Sequence, residues 1–244
     1  QKTIDYEVGF QQALNEKSAI TISTYYREMK DLIQLMNVSY AYPSNYLTYG
    51  NIDRAAVKGF SVKFDLRPIH SNLSLNAGYT LQFAEGTGSS ATSGFNLANQ
   101  GLPNLKVLVP LNFDQRHTFK GILNYRFLPG KKYIGPDWKG RGRKILGGFG
   151  VNFVGKLSSG RPYTGQENFT QEGAVSSAEK TVLDGTINGN RLPWIYTVDM
   201  RMSKKFVFGF EKEAKNKFYS EIYFVVTNLF NTQKAAAPIA LGSN

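Results

Sequence analysis

Residues 73–83 alternate without exception: Leu73, Leu75, Ala77, Tyr79, Leu81 and Phe83 are interleaved with Ser74, Asn76, Gly78, Thr80 and Gln82. Successive side chains of a strand point to opposite faces, so this pattern demands a sheet with one apolar and one small or polar face. The preceding segment repeats it, with Phe60, Val62, Phe64 and Leu66 set against Gly59, Ser61, Lys63, Asp65 and Arg67. Pro68–Asn72 between them is turn chemistry, and the two segments read as one long hairpin.

Six more segments show the same period. Residues 2–12 place Ile4, Tyr6, Val8 and Phe10 opposite Thr3, Asp5, Glu7, Gly9 and Gln11. Residues 19–35 begin with Ile20, Ile22, Thr24 and Tyr26 on one face; Met29, Leu32, Ile33 and Met36 recur at helical spacing, so helix competes from Arg27 to Met36, and a long strand is the preferred reading. Residues 115–128, 145–157 and 194–207 alternate in turn, and 217–229 carries apolar residues on both faces. The reading is all-β, antiparallel, with about eight long strands. Most exceed the usual strand of about five or six residues and suit a tilted crossing of a bilayer, which takes about 9–11. No run of about 18 apolar residues offers a transmembrane helix. Alternation alone fits both a soluble β-sandwich and a transmembrane barrel with a lipid face and a lumen face.

The connections favour the barrel. Short ones are expected at 13–18, 67–72, 129–144 and 208–216, and long ones at 37–51, 86–114 and 158–193. That is the outer-membrane pattern of tight periplasmic turns and longer outer loops. Charge follows it. The 29 Lys and Arg exceed the 18 Asp and Glu by 11. Segment 129–144 carries six cations against Asp137, and 204–217 carries five against Glu211 and Glu213. Loop 158–193 has three cations against four anions, and 37–51 has no charge. Basic turns at one end suit anionic head groups of the inner leaflet. A nucleic-acid partner is not expected, because these cations sit in connections and not along a face with stacking aromatics. Aromatics near strand ends (Tyr25 and Tyr26, Tyr79 and Phe83, Tyr125 and Phe127, Trp194 and Tyr196) fit an interfacial girdle or plain β-propensity.

Enzyme chemistry finds little support. No cysteine is present, which excludes thiol catalysis and Cys-ligated zinc, and His70 and His117 are the only histidines. Asp114 and His117 lie three apart and point to opposite faces of a strand, so they read as a strand-entry cluster and not as an acid–base pair. Ser158-Ser159-Gly160-Arg161 lacks a triad partner, and Arg141-Gly142-Arg143-Lys144 lacks phosphate-loop spacing. Lumen-side Asp5, Glu7, Asp65, Asp199 and Arg201 read as structural contacts ahead of ligand groups. No catalytic, cofactor or metal residue is assigned, no cofactor is expected, and ligand-contacting residues stay open.

Six short motifs carry a resemblance. Thr3-Ile4-Asp5-Tyr6-Glu7-Val8-Gly9, Tyr25-Tyr26-Arg27 with Asp31-Leu32-Ile33, and Asn51 through Gly59-Phe60 (Ser61 standing where Glu is common) come first. Asp114-Gln115-Arg116-His117, Gly160-Arg161-Pro162-Tyr163-Thr164 and Asn228-Leu229-Phe230-Asn231 follow. In this order they resemble the carboxy-terminal part of the barrel of TonB-dependent outer-membrane transporters, of the Oar-like type of Bacteroidota. The resemblance implies that residues 1–244 are a single region of a 22-stranded barrel filled by an amino-terminal plug. It implies import of a scarce ligand across the cell outer membrane, driven by the TonB complex through a plug-borne box lying outside this chain. Its partners would be outer-membrane lipid, the remaining strands and plug, and a surface lipoprotein or other outer-membrane protein. The start at Gln1 fits a processed product or a piece of a longer chain. The end at Asn244 departs from the family's usual final aromatic strand. Loops 86–114 and 158–193 are the expected contact surfaces. The alternatives are a self-contained eight-stranded barrel with a structural or adhesive role, a small-barrel hydrolase and a soluble β-sandwich binding module. Pairing between 2–12 and 217–229 would favour the closed barrel.

Overall fold

The computed structural model describes residues 1–68, 72–95, 98, 104, 106–128, 133, 135–136, 145–166, 183–208 and 218–233. Eight long strands follow in chain order: β1 (Lys2–Asn15), β2 (Ser18–Val38), β3 (Tyr46–Leu66), β4 (Leu73–Gly86), β5 (His117–Arg126), β6 (Phe149–Ser158), β7 (Ile195–Phe208) and β8 (Phe218–Val226). Each pairs antiparallel with the next, giving one up-and-down sheet. Val109–Pro110 adds a short piece beside the end of β4. No helix among the described residues is long and apolar enough to cross a membrane. Among these residues nothing pairs β1 with β8, so the sheet is open and not a closed eight-stranded barrel.

Register turns the separate alternations into one surface. Phe10, Ile22, Val62, Tyr79, Phe119, Leu157 and Tyr196 are successive partners across seven strands. Leu66, Leu75, Leu123, Phe153, Met200 and Val226 form a second row. Within the described chain no second layer covers this face, and Phe60, Phe119 and Leu123 stay well exposed. A soluble sandwich buries such a face; a membrane strand presents it to hydrocarbon. The small core lies on the opposite face, where Leu111 folds onto Ala55, Val57 and Ala84. Tyr25 also belongs to that polar face. Its ring covers Gly59, where an added Cβ would lie 2.3 Å from the ring, and its hydroxyl donates to Gln82 Oε1 at 3.0 Å. It is therefore not part of a lipid-side girdle, whereas its neighbour Tyr26 pairs with Tyr6 in the apolar series.

Residues 27–36 are strand throughout, as preferred over helix, and the apparent helical spacing comes from a bulge. Register slips by one residue in β2 between Met29 and Leu32, around Asp31 at φ 56°, and is restored by a slip in β3. An inserted residue shifts the phase of alternation and mimics a spacing of three or four. Loop 37–51 is not long: β2 and β3 run to 21 residues each and leave only residues 39–45 between them. The first turn is tighter than expected, because Asn15 Oδ1 accepts from the backbone N–H groups of Lys17 and Ser18, both at 2.8 Å, and closes a turn over Glu16–Lys17. Strand 145–157 starts later, at Phe149, since Gly148 at φ 79° completes a turn held by Phe149 N–H donating to Leu146 C=O. Strand 115–128 is trimmed to His117–Arg126. Most of the basic stretches 129–144 and 204–217, and His70, lie outside the described residues.

Candidate site at the loop end of the wall

The two longest connections leave the same end of the sheet, and their described residues lie over its polar face. Connection 87–116 packs on the outer halves of β2 and β3, where β4 has already stopped. Leu35 N–H donates to Ala91 C=O at 2.8 Å, and Asn104 Nδ2 donates to Leu35 C=O at 2.8 Å. Gln34, 2% exposed, donates to the Asp53 carboxylate and to Ser93 Oγ, each at 2.8 Å, while Thr87 Oγ1 donates to the other Asp53 oxygen at 2.9 Å. Asn188 reaches across from the second connection and donates to Pro110 C=O at 2.7 Å and Asn112 Oδ1 at 2.9 Å. These contacts satisfy buried polar groups, as they must be satisfied, and they join two loops far apart in sequence.

Asp114 is the hub of this end. It is 2% exposed and accepts from Ala84 N–H at 2.9 Å, which ties it to the end of β4. Arg191 Nη2 forms an ion pair with its carboxylate, and Arg191 Nη1 donates to its backbone carbonyl at 2.8 Å. Arg116 stands 3.9 Å from the same carboxylate and over the Phe83 ring. Gln115 reaches Ser158 and Ser159. His117 faces the other way. Its Nδ1 lies 2.9 Å from the Tyr79 hydroxyl and its ring stacks on Trp194 at 5.6 Å. Asp114 and His117 thus serve opposite faces, Asp114 from the connection before β5 and His117 from its first residue. Tyr79, His117 and Trp194 form one ring cluster at the loop end of the sheet.

The segment Gly160–Thr164 returns against residues 188–192. Pro162 and Tyr163 pair with Arg191 and Asn190, and Leu192 N–H donates to Arg161 C=O at 3.0 Å. A Cβ at Gly160 would lie 1.6 Å from the Leu192 carbonyl oxygen. Backbone cannot yield as a flexible side chain can, so this approach admits glycine alone. Gly160→Ala is expected to force the two segments apart at a cost of about 1–3 kcal/mol. Amide hydrogen exchange at Leu192 should then accelerate about tenfold or more; unchanged protection would contradict the close approach.

Four of the five charged lumen-side residues make contacts within the wall, and Glu7 has no hydrogen bond or ion pair among the described residues. Arg27 donates to both Asp5 oxygens at 2.6 and 3.0 Å, Asn76 donates to Asp65, Asp199 accepts from Asn228 N–H at 2.7 Å, and Arg201 lies over Tyr223. Sequence reasoning passed over Gln34, Asp53 and Arg191, whose partners lie far along the chain. It also passed over Lys63, Lys120 and Lys156, which register brings into one row.

The family model for TonB-dependent receptor-like β-barrels matches residues 1–229. The crystal structure of the outer-membrane transporter YddB from Escherichia coli resembles this chain with a TM-score of 0.54 at 14% identity, over 94% of this chain and 29% of that one. No curated protein matches the sequence. At that identity the likeness speaks for the fold, and the chain spans less than a third of the transporter's length.

Proposed function

The chain belongs to the family of TonB-dependent receptor-like β-barrels, and from that membership we propose that residues 1–244 form part of the barrel wall of an importer in the cell outer membrane. The observation that carries this reading is the unbroken apolar row from Phe10 to Tyr196 across seven paired strands, with polar residues behind it. Such a wall matches hydrocarbon on one side and an aqueous, occupied lumen on the other. Open outer edges on β1 and β8 expose backbone donors and acceptors that lipid cannot satisfy, which argues for further strands beside both. The motif order supports the Oar-like, Bacteroidota type, a 22-stranded barrel and a plug that couples to TonB. The outer loops are the surface for solute and for a lipoprotein partner.

The receptor contributes no covalent chemistry in this reading; its wall holds the lumen open and its loops select the solute. The test is retention of the full-length receptor, extracted from outer membranes, on the immobilised periplasmic domain of its host's TonB. Retention that disappears when the receptor's amino-terminal box is deleted is the expected result. Absence from the outer-membrane fraction, or retention indifferent to that deletion, would overturn the reading.

A further inference from the structure

We propose that a cavity on the lumen face, between β6, β7 and the residues Arg161 and Leu192 that return beside them, binds an organic anion. This deepens the import reading above and rests on it, because it names the class of solute that the wall would recognise. The cavity holds about 380 Å³, enough for a small organic molecule. Lys156 and Arg161 both line it, and neither has a carboxylate within ion-pair distance among the described residues.

The charge there is unbalanced by construction. Lys156 is the direct register partner of Lys120, and Lys63 stands in the same row across Gly78. Neighbouring strands are about 4.8 Å apart, so Lys120 and Lys156 are within mutual reach. Like charges directly opposite in a sheet are unfavourable. The rows on either side give no relief on these two strands, being Thr118 with Ser158 and Ile122 with Val154. An anion beside Lys156 removes the repulsion. Asp5, by contrast, is answered within the wall by Arg27.

The remaining lining defines the shape of the ligand. Ser158 and Thr197 offer hydroxyls, while Leu192 and Ile195 supply apolar walls. Arg161 is positioned at the mouth by the Gly160–Leu192 approach and by the Leu192–Arg161 backbone hydrogen bond. A guanidinium with a free fork pairs with planar carboxylate or with phosphate oxygens, and the lysine adds a point charge. Apolar walls beside two cations favour an anionic group carried on an organic body over a bare inorganic ion.

Pyridoxal 5′-phosphate suits the test because it is such an anion and marks lysines. Its aldehyde condenses with a neutral ε-amine, releasing water, and borohydride supplies the hydride that reduces the imine to a stable secondary amine. The full-length receptor in detergent micelles is labelled at limiting reagent and mapped by peptide mass spectrometry. Lys156 or Lys120 should be labelled about fivefold ahead of the exposed loop residue Lys106, and Arg161→Gln should lower that label about fivefold while Lys106 is unchanged. Excess phenyl phosphate should suppress it, and pyridoxal without the phosphate should show no preference. Even labelling, insensitivity to Arg161→Gln, or preference persisting without the phosphate would each overturn the site. Protection of both lysines by a polypeptide surface, seen as no labelling in the folded receptor, would overturn it as well. A receptor retained by TonB but evenly labelled defeats the anion site alone. One labelled at Lys156 but not retained defeats the import reading alone.

Discussion

Asp114→Ala should detach the outer loops from the wall while leaving the strands paired. The substitution removes a carboxylate that is 2% exposed and leaves the three-quarters-buried Arg191 side chain facing a void. Breaking a buried pair from one side costs about 3–5 kcal/mol, and the residual exposure of Arg191 places this case near the lower bound, about 3 kcal/mol. Ala84 N–H also loses its acceptor. The expected effect is local. Segment 183–194 hangs on this pair and on Asn188, whereas β4 to β7 keep their backbone ladders. Limited proteolysis of the full-length receptor in micelles reads the change directly. Where cleavage follows the population of the open form, about 3 kcal/mol corresponds to roughly 100-fold faster cutting in loop 158–193. Asp114→Asn keeps an acceptor for Ala84 and loses only the charge, so it should fall between. Wild-type resistance in Asp114→Ala would remove Asp114 from its place as the hub.

That hub shows which parts of the molecule a linear reading reaches. Alternation is local, so most of the eight strands are visible from spacing alone, the last being apolar on both faces, and the two faces of the sheet follow from parity. Asp114 and His117 do serve different faces, but Asp114 precedes the strand, so parity alone does not place it. What decides their roles is not local. Arg191 lies 77 positions from Asp114, and Trp194 is just as far from His117. Nothing in the residues between signals either contact. The bulge at Asp31 hides for a different reason: one added residue breaks the period on which strand recognition rests, so helix competes with strand over the second half of a continuous strand of 21 residues. The same bulge hid the outer extension of β2 and β3, which turned an apparent long loop into a tight hairpin tip.

The lysine row illustrates an intermediate case. Parity places Lys63, Lys120 and Lys156 on the lumen face, and that much is readable. Their meeting depends on register, which hairpin lengths and bulges set. Gly160 is similar. It is conspicuous in sequence as part of Gly160-Arg161-Pro162-Tyr163, yet its reason, the Leu192 carbonyl, is supplied by a segment thirty residues on.

Leu123→Arg and Ile122→Arg should differ sharply although the two residues are adjacent, apolar and similarly exposed, at 38% and 44%. Composition treats them alike. Register does not: Leu123 lies between Leu75 and Phe153 in an apolar row, whereas Ile122 lies between Asn76 and Val154 on the face that carries Asp65 and Asp199. If the apolar row meets hydrocarbon, an arginine at Leu123 costs about 2–4 kcal/mol near mid-bilayer. At Ile122 the guanidinium enters water or meets lumen carboxylates, and the change should stay within about 0.5 kcal/mol. Urea unfolding of the full-length receptor in lipid vesicles measures both. Equal penalties would mean that neither face is lipid, and a larger penalty at Ile122 would reverse the assignment. The comparison is sharper than any single substitution because strand propensity, side-chain size and backbone position are held nearly constant. What remains is the solvent on each side of the sheet, and that solvent is what separates a membrane wall from one layer of a soluble fold.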